Sequence, residues 1–181
     1  MKMKLSRQEF LSKWRVLRGY APLRDDVTVT RSDGLDFDAI LESEMDAWYR
    51  RLLLEGDEWQ LAPEELSSGI VLPPPSGGGV TFALPSEAVR VLRVRLSGWK
   101  RAATVVSDPE CIPALCQLHP YSRACTAHPV AVVSTDGSVS LYPACESDRL
   151  VSLQCVMMRD GEFAFDSSAL GSIKHLLIKN S

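Results

Sequence analysis

The stretch VAVVSTDGSVSLYPA, residues 130–144, decides the predicted fold class. Two runs rich in β-branched residues flank the pair Asp136–Gly137, a combination that is typical of a turn between antiparallel strands. Pro143 ends the second run, because proline has no backbone N–H to donate to a neighbouring strand. The stretch therefore predicts a β-hairpin whose loop has about five residues.

Further extended segments are predicted on both sides of this hairpin. Residues 87–96 (EAVRVLRVRL) predict a strand with a bulge at Val91–Leu92. Its two faces are predicted to carry Leu92, Val94 and Leu96, and Val91, Arg93 and Arg95, respectively. A later strand is predicted to carry Val151, Leu153, Cys155 and Met157 on one face, before a turn at Asp160–Gly161 and a short piece at Phe163–Phe165. The glycines of Ser76–Gly79 predict a mobile loop tip between two strands.

Helices are predicted near both ends of the chain. Residues 36–57 (DFDAILESEMDAWYRRLLLEGD) have apolar residues at helical spacing, with Asp36 as the N-cap and Gly56 as the stop. The apolar stripe contains Phe37, Ile40, Leu41, Met45, Trp48 and Leu52, and a solvated face contains Asp36, Asp38, Glu42, Glu44 and Asp46. Residues 7–19 predict a shorter helix, residues 166–180 a closing helix, and Val27–Thr30 a short extended piece.

The order of these elements indicates an α+β fold. Helices come first, mainly antiparallel strands follow, and a short C-terminal helix closes the chain, whereas alternating strands and helices would predict a parallel sheet. We expect a helical N-terminal part, residues 1–60, and a β-rich part with the closing helix, residues 61–181, in one compact unit. The β-rich part is expected to resemble a sandwich or a barrel.

The composition limits the function. The 181 residues carry a formal net charge of −3, so no overall field attracts nucleic acid or an anionic membrane. No stretch approaches the roughly 20 apolar residues of a membrane-spanning helix, and the basic N-terminus lacks the apolar segment of a secretory signal. Five cysteines without an export signal predict reduced thiols inside a cell. We therefore expect no membrane partner and no sequence-specific binding of nucleic acid.

The segment CIPALCQLHPYSRACTAHPV, residues 111–130, holds three cysteines and two histidines. Two Cys-x2-His pairs, Cys116 with His119 and Cys125 with His128, offer the four ligands of a tetrahedral zinc site. Five residues separate the pairs, whereas zinc-finger patterns usually place about twelve or more between them. We favour an irregular connection between strands, with the cysteines as small apolar fillers. The alternative is a small metal-binding interaction or regulatory module.

No catalytic motif stands out in the chain. The sequence lacks Gly-x-Ser-x-Gly and Gly-x-Gly-x-x-Gly, and its SGGGV segment at 76–80 lacks the lysine of a phosphate-binding loop. We therefore expect neither an enzymatic activity nor a cofactor. One basic patch is notable, and it predicts either a solvent-facing side of a strand or a surface for an acidic partner. This patch consists of Arg90, Arg93, Arg95, Lys100 and Arg101.

The layout of four segments resembles the head–tail connector (adaptor or tail accessory) proteins of tailed bacteriophages and prophages. The segments are FDAILESEMDAWYRRLL (37–53), ALPSEAVRVLRVRL (83–96), HPVAVVSTDGSVSLYPA (128–144) and LVSLQCVMMRDG (150–161). In that family a strand begins near a Leu-Pro pair, similar to Leu84–Pro85 here. A hairpin then ends in a segment similar to Leu141–Tyr142–Pro143. The resemblance covers residues 35–160.

This resemblance implies a virion structural protein, which forms a ring at the neck and joins the portal to the tail by protein–protein contacts. Its partners would be copies of itself and the portal and tail proteins. Its location would be the virion or, before assembly, the bacterial cytoplasm. In such a ring we expect Arg93 and Arg95 to contact Asp38 and Glu42 on the acidic helix of a neighbouring copy.

Overall fold

The computed structural model describes residues 1–20, 36–171 and 173. The chain forms two compact units. The first is built from the described residues of the ranges 1–62 and 158–181, and the second from residues Pro63–Met157. Helices and mainly antiparallel strands make up these units, which confirms the predicted α+β class.

The described residues contain three α-helices, nine strands and several short 3-10 turns. The α-helices are α1 (Arg7–Leu17), α2 (Phe37–Glu55) and α3 (Ile112–Leu115). The strands are β1 (Lys2–Ser6), β2 (Glu64–Glu65), β3 (Val80–Ala83), β4 (Ala88–Leu96), β5 (Thr104–Val106), β6 (Val130–Val133), β7 (Ser138–Tyr142), β8 (Leu150–Met157) and β9 (Glu162–Asp166). The 3-10 turns are Glu58–Gln60, Ser67–Gly69, Cys116–Leu118 and Ser167–Ala169.

Both N-terminal helices are found where they were predicted, but Ile40 of the predicted apolar stripe is exposed, whereas Tyr49 and Leu53 outside that stripe are buried. Asp36 caps α2 by accepting hydrogen bonds from the second and third residues after it, and Gly56 follows the last helical turn. β1 and β5 were not predicted from the sequence. The predicted extended piece at Val27–Thr30 lies outside the described residues, as does most of the predicted closing helix, whose described part includes the turn Ser167–Ala169.

The first unit pairs strands from opposite ends of the chain. β1 and β9 are antiparallel, with Lys2 opposite Asp166 and Ser6 opposite Glu162. Ser6 also begins α1, since its hydroxyl and the Glu9 carboxylate form a reciprocal capping box that satisfies backbone donors. β9 therefore belongs with the N-terminal helices, which differs from the predicted division into residues 1–60 and 61–181. The long-range pairing with β1 accounts for this difference.

An aromatic cluster forms the core of the first unit. Phe10 of α1 is fully buried, and its ring centroid lies 4.9 Å from that of Phe163 in β9 and 5.7 Å from that of Trp48 in α2. The hydroxyl of buried Tyr49 accepts a hydrogen bond from the Ala164 N–H at 3.0 Å. Tilted and edge-on aromatic pairs each contribute roughly 0.5–1.5 kcal/mol beyond their area burial. These contacts hold both helices against β9.

The second unit contains two sheets, with strand orders β2-β8-β4 and β3-β7-β6-β5. The predicted hairpin is confirmed as β6 and β7, and its loop is the segment 134–137. β5 pairs with β6 in parallel, so the chain between them, residues 107–129, makes a crossover connection. The two sheets share one core. Its fully buried members include Val94, Leu96, Val139, Leu141, Leu153 and Cys155.

The bulges in β4 change the predicted faces of that strand. Its register with β8 shifts between Val91 and Arg93, as the sequence predicted. Because of this shift, Val91 is buried on the side of Val94 and Leu96, whereas Leu92 is only half-buried. The predictions that Val91 shares the arginine side and that Leu92 shares the core side are therefore wrong.

The triple glycine forms a closed turn and does not join two strands. Ser76 and Gly79 exchange backbone hydrogen bonds of 2.8 and 3.2 Å around Gly77 and Gly78. Both central glycines have positive φ values, 61° and 82°, which residues other than glycine rarely adopt. The strand β3 begins directly after this turn, but residues 70–75, which precede the turn, form no strand. The predicted pair of flanking strands is therefore wrong.

β8 buries most of its predicted apolar face. Leu153, Cys155 and Met157 are buried, but Val151 is exposed because the register shifts again between Arg95 and Leu96 on the paired strand. Burial raises the pKa of the Cys155 thiol to about 11, and the nearby negative charge of Glu65 adds to this effect. The folded unit therefore keeps the Cys155 proton at a pH where an exposed thiol releases it.

We predict that this thiol makes the fold less stable at high pH. The protonated Cys155 thiol contributes its full share of the free energy of unfolding below its unfolded pKa of 9.0. This contribution is lost as the pH rises towards the folded pKa of about 11. The expected loss is about 2–3 kcal/mol. Between about pH 8 and about pH 11, the free energy of unfolding measured with urea should fall more in wild type than in Cys155→Ala. Equal falls in the two proteins would contradict the burial of this proton.

Candidate functional site

The acidic side of α2 is paired with arginines of the same unit. Arg7, Arg15 and Arg18, on or next to α1, each contact at least one carboxylate of α2. The pairs are Arg7–Glu42 and Arg7–Asp46 at 3.0 Å, Arg18–Glu44 at 2.9 Å, and Arg15–Asp38. These four carboxylates are therefore ion-paired, yet Glu42, Glu44 and Asp46 are still 38–42% exposed, which agrees with the predicted solvated face, whereas Asp38 is 29% exposed. A signal was present in the sequence, since Arg7, Arg15 and Arg18 recur near helical spacing.

Asp38 and Glu42 therefore have cationic partners in their own chain. Asp38 lies against Arg15, whose side chain is only 7% exposed, and Glu42 shares Arg7 with Asp46. A second arginine would have to share each carboxylate with its present partner, although Glu42 and Asp46 together carry one more negative charge than Arg7 balances. The expected contact of a neighbour's Arg93 and Arg95 with Asp38 and Glu42 stays a prediction, and it would have to compete with these ion pairs within the chain.

The predicted arginines lie on the outer side of the β4–β8 pair. Arg93 is opposite Gln154 and Arg95 is opposite Ser152 in the register, so these four residues share one side, here named the arginine face. Arg93 is exposed and in no ion pair with a described residue. Arg95 is half-buried, and its guanidinium donates a hydrogen bond of 3.5 Å to the Trp99 carbonyl. Both side chains are fixed to a rigid, hydrogen-bonded ladder.

The cysteine- and histidine-rich segment forms the crossover connection between β5 and β6. Cys125 and His128 sit at the two ends of a tight turn, in which the His128 N–H donates to the Cys125 carbonyl at 2.9 Å. Cys116 begins a 3-10 turn that ends before His119. Among residues 1–20, 36–171 and 173, no group of three or more His, Cys, Asp or Glu side chains is placed to hold a metal ion. The four ligands of the alternative metal site are therefore not assembled.

This connection instead exposes large apolar side chains. Ile112 is 77% exposed, Leu118 is 68% exposed and Tyr121 is fully exposed, while Leu115 is 44% exposed. The four residues recur every third position, and the first three lie in the helical turns, where that spacing keeps side chains on one side. We name these four side chains the apolar set. Their exposure was not predicted from the sequence, because an apolar residue at every third position is equally compatible with a buried face.

A buried glutamine holds the connection in shape. Gln117 is only 4% exposed, and its amide donates to the Pro113 carbonyl at 2.7 Å and accepts from the Ala124 N–H at 2.9 Å. The backbone carbonyl of Gln117 accepts a hydrogen bond of 3.0 Å from the Arg123 side chain. Ser122 adds a hydrogen bond of 2.8 Å to the Cys116 carbonyl. The segment is thus internally hydrogen-bonded and presents the apolar set from a defined backbone.

We predict that Gln117→Ala lowers the free energy of unfolding by about 1–3 kcal/mol, because the Pro113 carbonyl and the Ala124 N–H both lose their buried partner. Hydrogen exchange should quicken at Ala124 while the amides of β8 stay protected. Gln117→Glu is a second variant, which keeps an acceptor for the Ala124 N–H but replaces the donor to the Pro113 carbonyl by a carboxylate in a buried site, so we expect it to be destabilised as well. Unchanged stability in both variants would contradict the role of Gln117.

Two acidic residues lie next to the apolar set. Asp108 and Glu110 are exposed, and the Asp108 carboxylate accepts the Glu110 N–H at 2.9 Å. Neither carboxylate is in an ion pair with another described residue. We name this pair the acidic rim. Protein–protein interfaces commonly combine exposed apolar side chains with charged residues at the border, and this segment carries both kinds of residue.

The second unit also has an open cleft of about 380 Å³. Pro73, Pro74 and Pro75 form one side, and Ala144 and Glu146 lie on the other. Asp148 also lines it, but its carboxylate is engaged by the backbone N–H groups of Gly98 and Cys145 at 2.9 and 2.8 Å. These hydrogen bonds give Asp148 a structural role in joining two loops.

The comparisons with protein-family models and with curated proteins assign no relative to this chain. No protein-family model matches it. No curated protein matches it either. Within the part of the chain that the structure describes, none of the helices has both the length and the apolar character that crossing a membrane requires.

Proposed function

We propose that the protein is a structural subunit of a phage or prophage virion, in a neck or connector ring that joins the portal to the tail. It works through protein–protein contacts, and it uses no cofactor and catalyses no reaction. Its partners are further copies of itself and the portal and tail proteins. It resides in the virion and, before assembly, in the bacterial cytoplasm.

The observation that carries this proposal is the apolar set on the connection between β5 and β6. Soluble proteins rarely expose several large apolar side chains together unless another molecule covers them. Here Ile112, Leu118 and Tyr121 are each more than two-thirds exposed, and the buried Gln117 fixes the backbone that carries them. A preformed apolar surface of this kind favours association, because little conformational freedom is lost when a partner binds.

The layout that resembles connector proteins supports the same proposal. Leu84–Pro85 directly follows β3 and precedes β4, and the β6–β7 hairpin runs into Leu141–Tyr142–Pro143. Both motifs therefore stand at strand boundaries, where the resemblance expects them. A helical part that precedes these strands, α1 and α2, is also in keeping with that layout.

A gene deletion tests this proposal. A phage or prophage that lacks the gene should accumulate filled heads and separate tails, and a copy of the gene supplied in trans should restore tailed particles. The exposed-site variant Val71→Ser, supplied in the same way, is the matched control for expression, since Val71 is 91% exposed and outside the apolar set. Normal yields of tailed, infectious particles without the gene would overturn the proposal.

A further inference from the structure

The arginine face and the connection with the apolar set are two different surfaces of the same unit. The arginine face lies on the three-stranded sheet, whereas the connection belongs to the four-stranded sheet. Both are rigid: the first through the β4–β8 ladder and the second through the Gln117 hydrogen bonds. Each therefore keeps its shape when the protein is alone.

The acidic rim and Arg93 have opposite charges, while the cationic Arg123 of the same connection is half-buried and donates to the Gln117 carbonyl. The acidic rim brings two carboxylates, Asp108 and Glu110, without an ion-pair partner among the described residues, and Arg93 is an exposed cation that also lacks one. Opposite charges on two surfaces favour encounter in one orientation and penalise others. Glu65 lies beside the arginine face, but its carboxylate already accepts hydrogen bonds from Ser152 and the Leu153 N–H.

The two surfaces also have complementary chemistry. Tyr121 is fully exposed, and arginine stacks its planar guanidinium on aromatic rings. Tyrosine and arginine are among the residues that contribute most to binding at protein interfaces. Val151 of β8, which is 54% exposed, adds apolar surface on the strand next to Arg93. The cleft beside Pro73–Pro75 is a poorer partner, because Glu146 would repel the acidic rim.

We propose that the apolar set and acidic rim of one copy dock on the arginine face of the next copy. This inference rests on the proposed ring function and names the contact that builds the ring. Because the two surfaces differ, the contact is head-to-tail, and such contacts close into rings when the rotation between copies permits. It also gives Arg93 and Arg95 acidic partners that, unlike Asp38 and Glu42 of α2, are in no ion pair with a described residue.

Sedimentation velocity over a concentration series tests the proposal with the full chain. Tyr121→Ser should weaken self-association by roughly 30-fold or more, as expected for a central interface residue. Glu110→Lys and Arg93→Glu should each weaken it by about tenfold, and the double variant should recover most of that loss. The matched controls are Val71→Ser, Glu146→Lys and Arg149→Glu, all exposed positions of the same unit outside both surfaces. Circular dichroism should show that every variant is folded.

Each outcome has a definite meaning. Self-association that depends on Tyr121, with recovery in the charge-swapped pair, supports the proposed contact even if the assembly is an open chain. Rings that form equally well in the Tyr121 and charge variants would overturn this contact and leave the proposed function standing. A wild-type chain that stays monomeric at every concentration would overturn the contact, while the gene deletion separately decides the function.

Discussion

Replacing Trp99 with alanine is expected to lower the free energy of unfolding of the second unit by about 3–5 kcal/mol. Trp99 is only 2% exposed and packs in the core that the two sheets share. Its indole N–H also donates a hydrogen bond of 2.7 Å to the Pro143 carbonyl. The substitution removes the largest fully buried side chain among the described residues and leaves the partly buried Pro143 carbonyl without its donor.

Two further variants separate these contributions. Trp99→Phe keeps most of the apolar volume and loses the hydrogen bond, so we expect a smaller loss of about 1–3 kcal/mol. Trp59→Ala is an exposed-tryptophan control from the first unit, since Trp59 is 61% exposed and its loss should change the free energy of unfolding by less than about 0.5 kcal/mol. Urea unfolding followed by circular dichroism measures all three. A Trp99→Ala loss no larger than that of Trp59→Ala would contradict the shared core.

Replacing Arg15 with alanine is expected to destabilise the first unit by about 3 kcal/mol. Arg15 is buried, contacts the Asp38 carboxylate, and lies 5.9 Å from the centre of the Phe37 ring. The substitution leaves the partly buried Asp38 carboxylate without its cationic partner. We expect a loss of stability at the lower end of the range for broken buried ion pairs, because the Asp38 side chain is still 29% exposed and remains partly hydrated.

A double variant and a surface variant sharpen this prediction. Arg15→Met with Asp38→Leu removes both charges and should be more stable than Arg15→Ala, because no unpaired carboxylate remains. Arg7→Ala is the control, since Arg7 is 43% exposed and its pairs with α2 should be worth no more than about 1 kcal/mol. Thermal unfolding compares these variants. Equal losses for Arg7→Ala and Arg15→Ala would show that burial does not strengthen the Arg15 pair.

The locally encoded parts of the fold could be predicted from the sequence. The β6–β7 hairpin follows from Asp136–Gly137 between two β-rich runs, and α2 follows from its apolar spacing and its Asp36 cap. The pairing of β1 with β9 could not be predicted, because it joins strands from opposite ends of the chain. The parallel pairing of β5 with β6 could not be predicted either, because the three residues of β5 are too few to predict a strand from the sequence.

The candidate site was predictable only in part. The arginines of β4 stand out by composition, and Arg93 is exposed as a surface role requires. The bulge at Val91 was predicted, but its effect on the faces was reversed because a bulge shifts all later side chains by one position. The paired state of Asp38 and Glu42 depends on how α1 packs on α2, which the sequence of α2 does not contain. The exposure of Ile112 and Tyr121 depends likewise on the whole fold.

Electron cryomicroscopy of intact particles tests the central claim most directly, since the claim is that this chain acts by occupying a ring at the head–tail junction. We predict a closed ring of density between portal and tail into which the second unit fits, with Tyr121 of each copy beside Arg93 of the next. Purified particles whose neck contains no copy of this chain would contradict the account.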